Sequence, residues 1–472
     1  MIRIRVILLI LIILSLAVLI VFLSGGKPRQ EKVAEELSKR GEQPSVKREA
    51  VIMEYEPRRG SNEYCYNLIK MGDRIYSFCY SMVRYSEEIT ELPVDIRDIQ
   101  PVDIRDIHLI LMLDGNLTPL YYVKLDYHHR PIKPQKFNES RFLLMKAWCY
   151  YDLYNAAPGG LIMYNSDLSV LWELSGNFTD FELINSSIYA LEYKEGDYYL
   201  DRISGDGKIL MSVKVIDREE TGGPAATVGD KFNISWYEST CGFPNLEYID
   251  GKIYLLWYDK PEVCNLTERG CPIPHEEMRI AAVDLEGRRL FYKSVKIGPY
   301  FIEGGGLTRS GNEILLVGMR GPCILTFLSE EGNITREMNL ADHVDPGWRR
   351  WLPGFEPCFL NSAQSEGNVI YAFGTMNPMP EVRYPFLVRI EGDRVETLYY
   401  NTHLDPYVDV RRIIFADHVY VVGGVSSGEP WESLMYIAKL SGIDEFELIK
   451  LKTILSGVKE VVLIDELPER RP

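Results

Sequence analysis

The chain has 472 residues, of which 46% are hydrophobic and 25% are charged, and its formal net charge at pH 7 is −16. This composition is that of ordinary globular material, and the length allows several domains or one array of repeats. Because nucleic acids bind positively charged surfaces, the acidic balance argues against nucleic acid as a partner.

The first 26 residues have the pattern of a membrane segment. Two arginines lie within Met1–Arg5, and the apolar run that follows is interrupted only by Ser15, so that it has roughly the length that crosses a bilayer core. A cleaved signal peptide is the alternative, although its apolar region usually has only about 7 to 15 residues. We expect an uncleaved transmembrane anchor over residues 1–26 and a charged stalk over residues 27–49.

Two further features point to the outside of the cell. Asn-X-Ser/Thr sequons, which accept N-linked glycans in secreted proteins, begin at Asn116, Asn138, Asn177, Asn185, Asn233, Asn265 and Asn333. The chain also has eight cysteines, an even number, and no paired CxxC motifs that would bind zinc. Both observations predict an extracellular, glycosylated and disulfide-bonded body.

The cysteine spacing suggests particular disulfides. Cys65 and Cys79 lie symmetrically about Gly72 in a predicted hairpin, where they would face each other across two strands. Cys264 and Cys271 could close a small loop. Three connectivities remain open for the other four cysteines, Cys149, Cys241, Cys323 and Cys358. Free buried thiols are the alternative.

One β-hairpin design recurs along the chain: an apolar strand, a tight turn with Gly, Asn or Asp, and a second apolar strand. The seven copies span His108–Leu125, Gly160–Leu174, Tyr198–Val215, Arg279–Ile297, Cys323–Leu340, Phe386–Tyr400 and Ser433–Leu451. Another apolar strand precedes each copy, and a further short strand, such as Asn245–Ile249, completes a unit of four antiparallel strands. Such units are typical of propeller blades.

A four-stranded sheet cannot cover both of its faces, whereas seven sheets arranged radially bury each other. We therefore predict an all-β fold for residues 50–472, a seven-bladed β-propeller of four-stranded antiparallel blades. Either Val51–Tyr55 or Glu460–Ile464 would close the ring. The wide spacing of the third and fourth hairpins predicts an insertion near residues 217–243, where an eighth, degenerate blade could lie.

The hairpins RIAAVDLEGRRLFYKSV (residues 279–295) and YYLDRISGDGKILMSVKV (residues 198–215) resemble the repeats of PQQ-like, or quinoprotein-type, β-propellers. This resemblance spans nearly the whole body. It implies the propeller fold and a scaffold role, as in the non-enzymatic members that organise membrane assemblies. The tryptophan docking motif of that family is not repeated here, and we expect no cofactor.

Histidines are concentrated in the predicted connections between the outer strand of one blade and the inner strand of the next, where propellers usually bind ligands. The candidate binding residues in these connections are His128, His129, His343, Asp345, Trp348, Arg349, Trp351, His403 and Asp405. Indole stacking and guanidinium hydrogen bonds suit a sugar or an anionic ligand, and histidine with aspartate could hold a divalent metal. The alternative is structural, because Asp-Pro opens turns and the two tryptophans could plug the channel.

The sequence assigns no catalytic residue and no metal ligand. Nucleophile elbows, phosphate-binding loops and dinucleotide fingerprints are absent from the sequence, and His275 lacks the second histidine of a zinc-protease helix. We expect a single-pass cell-membrane protein whose extracellular propeller is a binding or scaffold module for a glycan, a small ligand or a protein partner.

Two other functions stay open. One is an extracellular glycan hydrolase or lyase that would use carboxylates such as Asp345 and Asp405 with His343 or His403. The other is an accessory subunit of a membrane assembly.

Overall fold

The computed structural model describes residues 50–55, 62–85, 103–125, 132–146, 159–217, 220, 245–258, 277–296, 306–317, 323–344, 358–379, 382–400, 408–426, 433–443, 461–464, 467 and 469. The predicted anchor and stalk, and nearly all of the predicted insertion, lie outside this part of the chain. Within it, no helix has both the length and the apolar character needed to cross a bilayer.

The described residues form seven antiparallel blades, as predicted. Blade one consists of β2 (Asn62–Met71), β3 (Arg74–Tyr85), β4 (Asp103–Asp114) and β5 (Pro119–Leu125), and blade two of β6 (Ile132–Asn138), β7 (Arg141–Lys146), β8 (Gly160–Asn165) and β9 (Val170–Ser175). Blade three consists of β10 (Phe178–Ile184), β11 (Ser187–Lys194), β12 (Asp197–Ile203) and β13 (Ile209–Ile216), and blade four of β14 (Asn245–Ile249), β15 (Lys252–Tyr258), β16 (Glu277–Val283) and β17 (Arg289–Lys296).

The second half of the chain continues this order. Blade five consists of β18 (Gly306–Ser310), β19 (Glu313–Val317), β20 (Ile324–Leu328) and β21 (Ile334–Asn339), and a short helix, α1 (Ala341–Val344), follows it. Blade six consists of β22 (Cys358–Glu366), β23 (Val369–Met379), β24 (Val382–Glu391) and β25 (Arg394–Tyr400). Blade seven contains β26 (Val408–Phe415), β27 (Val419–Ser426), β28 (Ser433–Leu440) and β1 (Ala50–Glu54), with β29 (Val461–Leu463) paired to β1.

The hydrophobic core lies between the blades. Its seven clusters of buried residues each join two neighbouring blades, and the seventh joins blade seven to blade one. In β11 the four consecutive residues Ile188, Tyr189, Ala190 and Leu191 are buried, because both faces of the strand are covered. The ring is therefore closed by packing, and burial of apolar surface is its main stabilising term.

The outer strands have a different pattern, because one side of each faces solvent. In β13 buried or half-buried positions alternate with exposed ones up to Val215. Four leucines occupy the same irregular position at the start of the outer strand in blades one to four, and all four are exposed: Leu120, Leu171, Leu210 and Leu290. A break in strand pairing at this position turns each of them outward.

The turns are those that the sequence predicts. The Asp250-Gly251 turn joins β14 to β15, and both of its residues have positive φ, 50° and 82°. Two left-handed residues make a hairpin turn whose twist matches that of the strands, and Gly adopts this conformation without steric cost.

Strand β1 closes the ring, although it begins the described chain. It pairs antiparallel with β28, with Val51 opposite Ile437, and β29 pairs parallel with β1 on its other edge. Of the two segments predicted to close the ring, the N-terminal one therefore supplies the fourth strand of blade seven, and the C-terminal one extends it. The seventh predicted hairpin, Ser433–Leu451, placed its second strand beside β28. That prediction is wrong, because β1 pairs with β28 at that edge. Residues 444–460 lie outside the described residues.

A buried carboxylate stabilises the closed ring through hydrogen bonds. Glu63 at the start of β2 is fully buried, and its Oε2 accepts a hydrogen bond of 2.9 Å from the backbone N–H of Tyr55, just after β1. Its Oε1 accepts one of 2.7 Å from Ser81, and its backbone oxygen accepts one of 2.8 Å from the hydroxyl of Ser433 in β28. Glu63 thus joins the first and last blades through its side chain and its backbone.

Two disulfides lie within the described residues, and no cysteine there is free. Cys65 and Cys79 are paired across β2 and β3, which confirms the prediction from their symmetry about the turn. Of the connectivities left open, the structure selects Cys323 with Cys358, which links blade five to blade six. The predicted pair of Cys264 and Cys271 lies outside the described residues.

Replacing Glu63 with alanine should lower the free energy of unfolding by about 2–4 kcal/mol, because it leaves the Tyr55 N–H and the Ser81 hydroxyl without their buried acceptor. Urea denaturation of the purified protein measures this change. Glu173→Ala, on the exposed face of β9, is the matched control and should have little effect. Equal stability of the two variants would show that the Glu63 contacts do not fasten the ring.

Candidate functional site

The two faces of the propeller differ in their connections. Connections from the first to the second strand and from the third to the fourth strand of a blade leave at one face and have two to five residues. We call this the turn face. Five of the six connections of more than ten residues leave at the opposite face, which we call the loop face: residues 86–102, 147–159, 217–244, 259–276 and 340–357. The sixth, residues 441–460, leads from the end of β28 at the turn face to β29.

Only one of the predicted binding residues lies within the described part of the chain. His343 is in α1, in the connection between blades five and six at the loop face, and its side chain is exposed. The side chain of Asn339 accepts a hydrogen bond of 3.0 Å from the backbone N–H of Ala341 and so fixes the start of the helix. The other candidates lie outside the described residues: His128, His129, Asp345, Trp348, Arg349, Trp351, His403 and Asp405.

The predicted glycan acceptors fall mainly on the other side of the molecule. Four of the five described sequon asparagines are at turn-face connections, namely Asn116, Asn138, Asn185 and Asn333. Asn177 lies in the connection between blades two and three, at the loop face, and Asn233 and Asn265 lie outside the described residues.

The innermost strands surround a central lumen. The first strands of the seven blades, counting β2 in blade one and β26 in blade seven, contact one another in ring order. Their inner edges carry backbone groups that no further strand pairs, and such edges need other partners. Side chains of the preceding blade supply them: Asn361 of β22 donates to the backbone oxygen of Val410 at 2.9 Å, and Gln364 accepts from the backbone N–H of Ile413 at 2.8 Å.

A charged cluster that the sequence interpretation missed lies on these inner strands. We call it the lumen cluster, and its members are Lys133, Asp180, Glu182, Glu247 and Arg412. They come from blades two, three, four and seven. Among the described residues no group of three or more His, Cys, Asp or Glu side chains is placed to hold a metal ion.

Lys133 is the member of the lumen cluster whose ammonium group has three protein acceptors. Its ammonium nitrogen lies 2.9 Å from Asp180 Oδ1, 2.6 Å from Glu182 Oε1 and 2.8 Å from the backbone oxygen of Phe181. Burial opposes its charged form, but the carboxylates of Asp180 and Glu182 outweigh burial and raise the pKa of Lys133. Asp180 Oδ2 also accepts the backbone N–H of Leu246 at 2.8 Å, so this part of the cluster holds blades two, three and four together.

Glu247 and Arg412 are different, because neither has a hydrogen-bond or ion-pair partner among the described residues. Burial, followed by the charge of Glu182, raises the pKa of Glu247 well above its ordinary value. Burial also lowers the pKa of Arg412, against the opposing charges of Glu247 and Glu182, although the Arg412 side chain is exposed to solvent. A side chain that water reaches but protein surrounds is expected on the wall of a lumen.

A second acidic group lies inside blade three. The ammonium of Lys194 is 2.6 Å from Glu192 Oε2 and 3.0 Å from Oδ2 of Asp201, which is fully buried. Burial and a hydrogen bond to Asp201 raise the pKa of Glu192 to about 7, against the opposing effect of Lys194. The three side chains are close neighbours on β11 and β12, so this group can be explained as structural.

Comparison with known proteins gives likenesses in fold only. No family model and no curated protein matches the chain. Similar solved structures include the β-propeller domain of the Trilobed protease from Pyrococcus furiosus, with 9% identity and a TM-score of 0.42 over 80% of this chain and 96% of that one. Polysaccharide lyase Uly1 is 10% identical, with a TM-score of 0.44 and coverage of 79% and 89%.

A third similar structure is that of BBS1N in complex with ARL6DN, with 8% identity, a TM-score of 0.43 and coverage of 83% and 97%. At this level of identity and TM-score, these likenesses carry no argument about activity or ligands. They do not favour the PQQ-like family over other propellers.

The free energy of unfolding should depend on pH through Glu192. Its pKa is about 7 when folded and near 4.5 ordinarily, so its stabilising contribution is present below about pH 4.5 and is lost as the pH rises through about 7. We expect the loss to be on the order of 1–2 kcal/mol after allowing for partial exposure. Glu192→Gln should remove this dependence in urea denaturation at about pH 5 and about pH 8.

The matched control for this measurement is Glu173→Gln, at an exposed position of β9. It should keep the pH dependence of the natural protein. An unchanged pH dependence in Glu192→Gln would contradict the raised pKa.

Proposed function

We propose that this protein is a single-pass membrane protein whose propeller lies outside the cell and acts as a binding or scaffold module. In this proposal the loop face binds a glycan, a small ligand or a protein partner. The observation that carries the proposal is the difference between the two faces, because five of the six connections of more than ten residues leave at one of them.

Long connections on a rigid scaffold are where binding residues concentrate. The short turns of the opposite face are needed only to reverse the chain, and their residues are the usual ones for tight turns. His343 lies at the loop face with its side chain exposed. The sequence puts further histidine, tryptophan and arginine side chains into connections that leave at the same face, which suits a ligand bound by stacking and charged hydrogen bonds.

Three other observations support the proposed extracellular location. The disulfides Cys65–Cys79 and Cys323–Cys358 suit an oxidising compartment. Four described sequons lie at the turn face, where glycans would leave most of the loop face open. The apolar sequence within residues 1–26 would supply the anchor.

A glycan hydrolase or lyase is the second candidate, and one observation favours it. Glu182 and Glu247 lie on neighbouring inner strands, and burial together with Glu182 raises the pKa of Glu247. Two carboxyl groups in different environments can act as a general acid and a general base. Product analysis after incubation with each glycan would separate this candidate from a binding module, which releases no product.

The full-length protein should stay in the membrane fraction after alkaline carbonate washing, and surface biotinylation of intact cells should label it. A chain without residues 1–26 should be neither membrane-bound nor labelled, because it lacks the apolar segment. Release of the full-length protein by carbonate would contradict an uncleaved anchor. Absence of surface labelling would contradict the extracellular location.

Thermal unfolding of the full-length protein, followed by intrinsic fluorescence in a panel of glycans and divalent ions, tests the loop face. A ligand at about 100 times its Kd should stabilise the protein by about 2.7 kcal/mol and raise its Tm by a few degrees. His343→Ala should remove most of this shift because it deletes an exposed imidazole of the loop face.

The matched control is His418→Ala, which removes the same side chain from the turn between β26 and β27 at the turn face. It should leave the ligand-induced shift unchanged. A shift that is lost in His418→Ala and kept in His343→Ala would contradict binding at the loop face, and so would a panel in which nothing raises the Tm.

A further inference from the structure

A fifth strand lies on blade seven where the ring closes. We call residues 461–469 the tail. Its strand β29 pairs parallel with the outer edge of β1, with Met53 opposite Val462, and the backbone N–H of Ile464 donates to the backbone oxygen of Glu54 at 2.8 Å. Within the described part of the chain, the outer strands of blades two to six pair with no such strand. The edge of β1 therefore accepts an added strand, as unpaired sheet edges do.

The tail also reaches blade one. Ile464 is fully buried in the cluster that joins blade seven to blade one, and Leu467 packs against that cluster. Further along, Glu469 pairs with Tyr122 of β5. Three consecutive residues of β5, beginning at Tyr121, are buried, whereas the outer strand β9 of blade two has no buried residue. The tail thus lies in an apolar groove between the last blade and the first.

The tail uses only part of the edge that β1 offers. Strand β1 spans Ala50–Glu54, but the register joins β29 only to Ile52–Glu54. In the sequence Lys459 and Glu460 precede β29, at the places that continue the register towards Val51. Lysine and glutamate are poor strand formers. A strand with apolar, β-branched residues at these two places can pair with the whole edge, so it can compete with the tail.

The connection to the tail is longer than the pairing requires. Strand β28 ends and β29 begins on the two sides of β1 at the turn face, and since neighbouring strands are about 4.8 Å apart, these two ends are about 10 Å apart. A link of about four residues spans that distance, whereas residues 441–460 can reach roughly 65 Å. A tight turn would hold β29 on β1. A connection of this length does not, so the tail can leave while β1 stays paired with β28.

We propose that the outer edge of β1 is a binding site for an extended apolar strand of a partner protein, and that the tail occupies this edge as a built-in competitor. The partner strand runs parallel to β1, pairs with all of Ala50–Glu54 and places apolar side chains where Ile464 and Leu467 lie. Backbone hydrogen bonds supply affinity in such strand addition, and side-chain pockets supply specificity. This site goes beyond the function proposed above and needs no residue of the loop face.

Fluorescence anisotropy of a labelled peptide mixed with the full-length protein tests the site. The peptide has the sequence of residues 459–472 with Lys459→Val and Glu460→Val, so that it can pair with the whole edge. We expect saturable binding, and binding about 10- to 100-fold tighter to a chain that ends at residue 458, because the tail no longer competes at its high effective concentration. The matched control peptide carries an N-methyl group on Ile464. It keeps every side chain but lacks the N–H that binds Glu54, so it should not bind.

A second variant makes the test independent of the folding of the shortened chain. Glu54 and Leu463 are opposite each other in the register, so Glu54→Cys combined with Leu463→Cys allows a disulfide that fixes the tail on β1. This locked protein should not bind the peptide, whereas each single-cysteine variant should bind it as the natural protein does.

The proposal is overturned if the full-length protein does not bind the peptide, if the locked protein binds it as tightly as the natural protein, or if the N-methylated peptide binds equally well. His343→Ala should bind the peptide normally, so failure here and failure of the loop-face proposal are distinguishable.

Discussion

Closure of the ring by strand β1 is the constraint on which the rest of the structure depends. Each blade buries its faces only against its neighbours, so an open array would expose the apolar faces of its first and last members. Strand β1 enters the chain before blade one but pairs with β28 in blade seven. Opening the ring would therefore require breaking β1 away from β28 or breaking the bonds of Glu63. Both the lumen and the common loop face exist only while that closure holds.

Closure also explains why polar groups occupy the centre of an otherwise apolar repeat. The inner strand of each blade is an edge strand, and unpaired edges must be satisfied or covered. Lys133, Asp180, Asn361 and Gln364 each bind a backbone group of the following blade, so their presence follows from the architecture. Arg412, on the inner strand of blade seven, has no hydrogen-bond or ion-pair partner among the described residues, so the need to satisfy strand edges does not explain it.

The sequence predicts the blades because the strands of a blade follow one another closely along the chain. Its hairpins form between residues close in the chain, and Cys65 with Cys79 is such a case. The partner of β1 could not be found this way, because β28 lies at the other end of the body and residues after Leu440 offered an equally apolar strand. The lumen cluster was missed for the same reason. Its five members are spread over four blades, and the only local signal is an ionisable residue within the first strand of a unit.

Two carboxyl groups with raised pKa values show why titration alone does not identify a site. Burial raises both, but Glu192 lies within blade three against Lys194 and Asp201, which come from the same pair of strands. Among the described residues Glu247 has no ion-pair partner on its own blade, and the charges that act on its pKa come from Glu182 of blade three and Arg412 of blade seven, among others. A raised pKa therefore reports burial and neighbouring charge, and the neighbours decide what the group does. Glu192 is held within its own blade, whereas Asp180 and Lys133 show that charged groups with neighbours from several blades can hold those blades together.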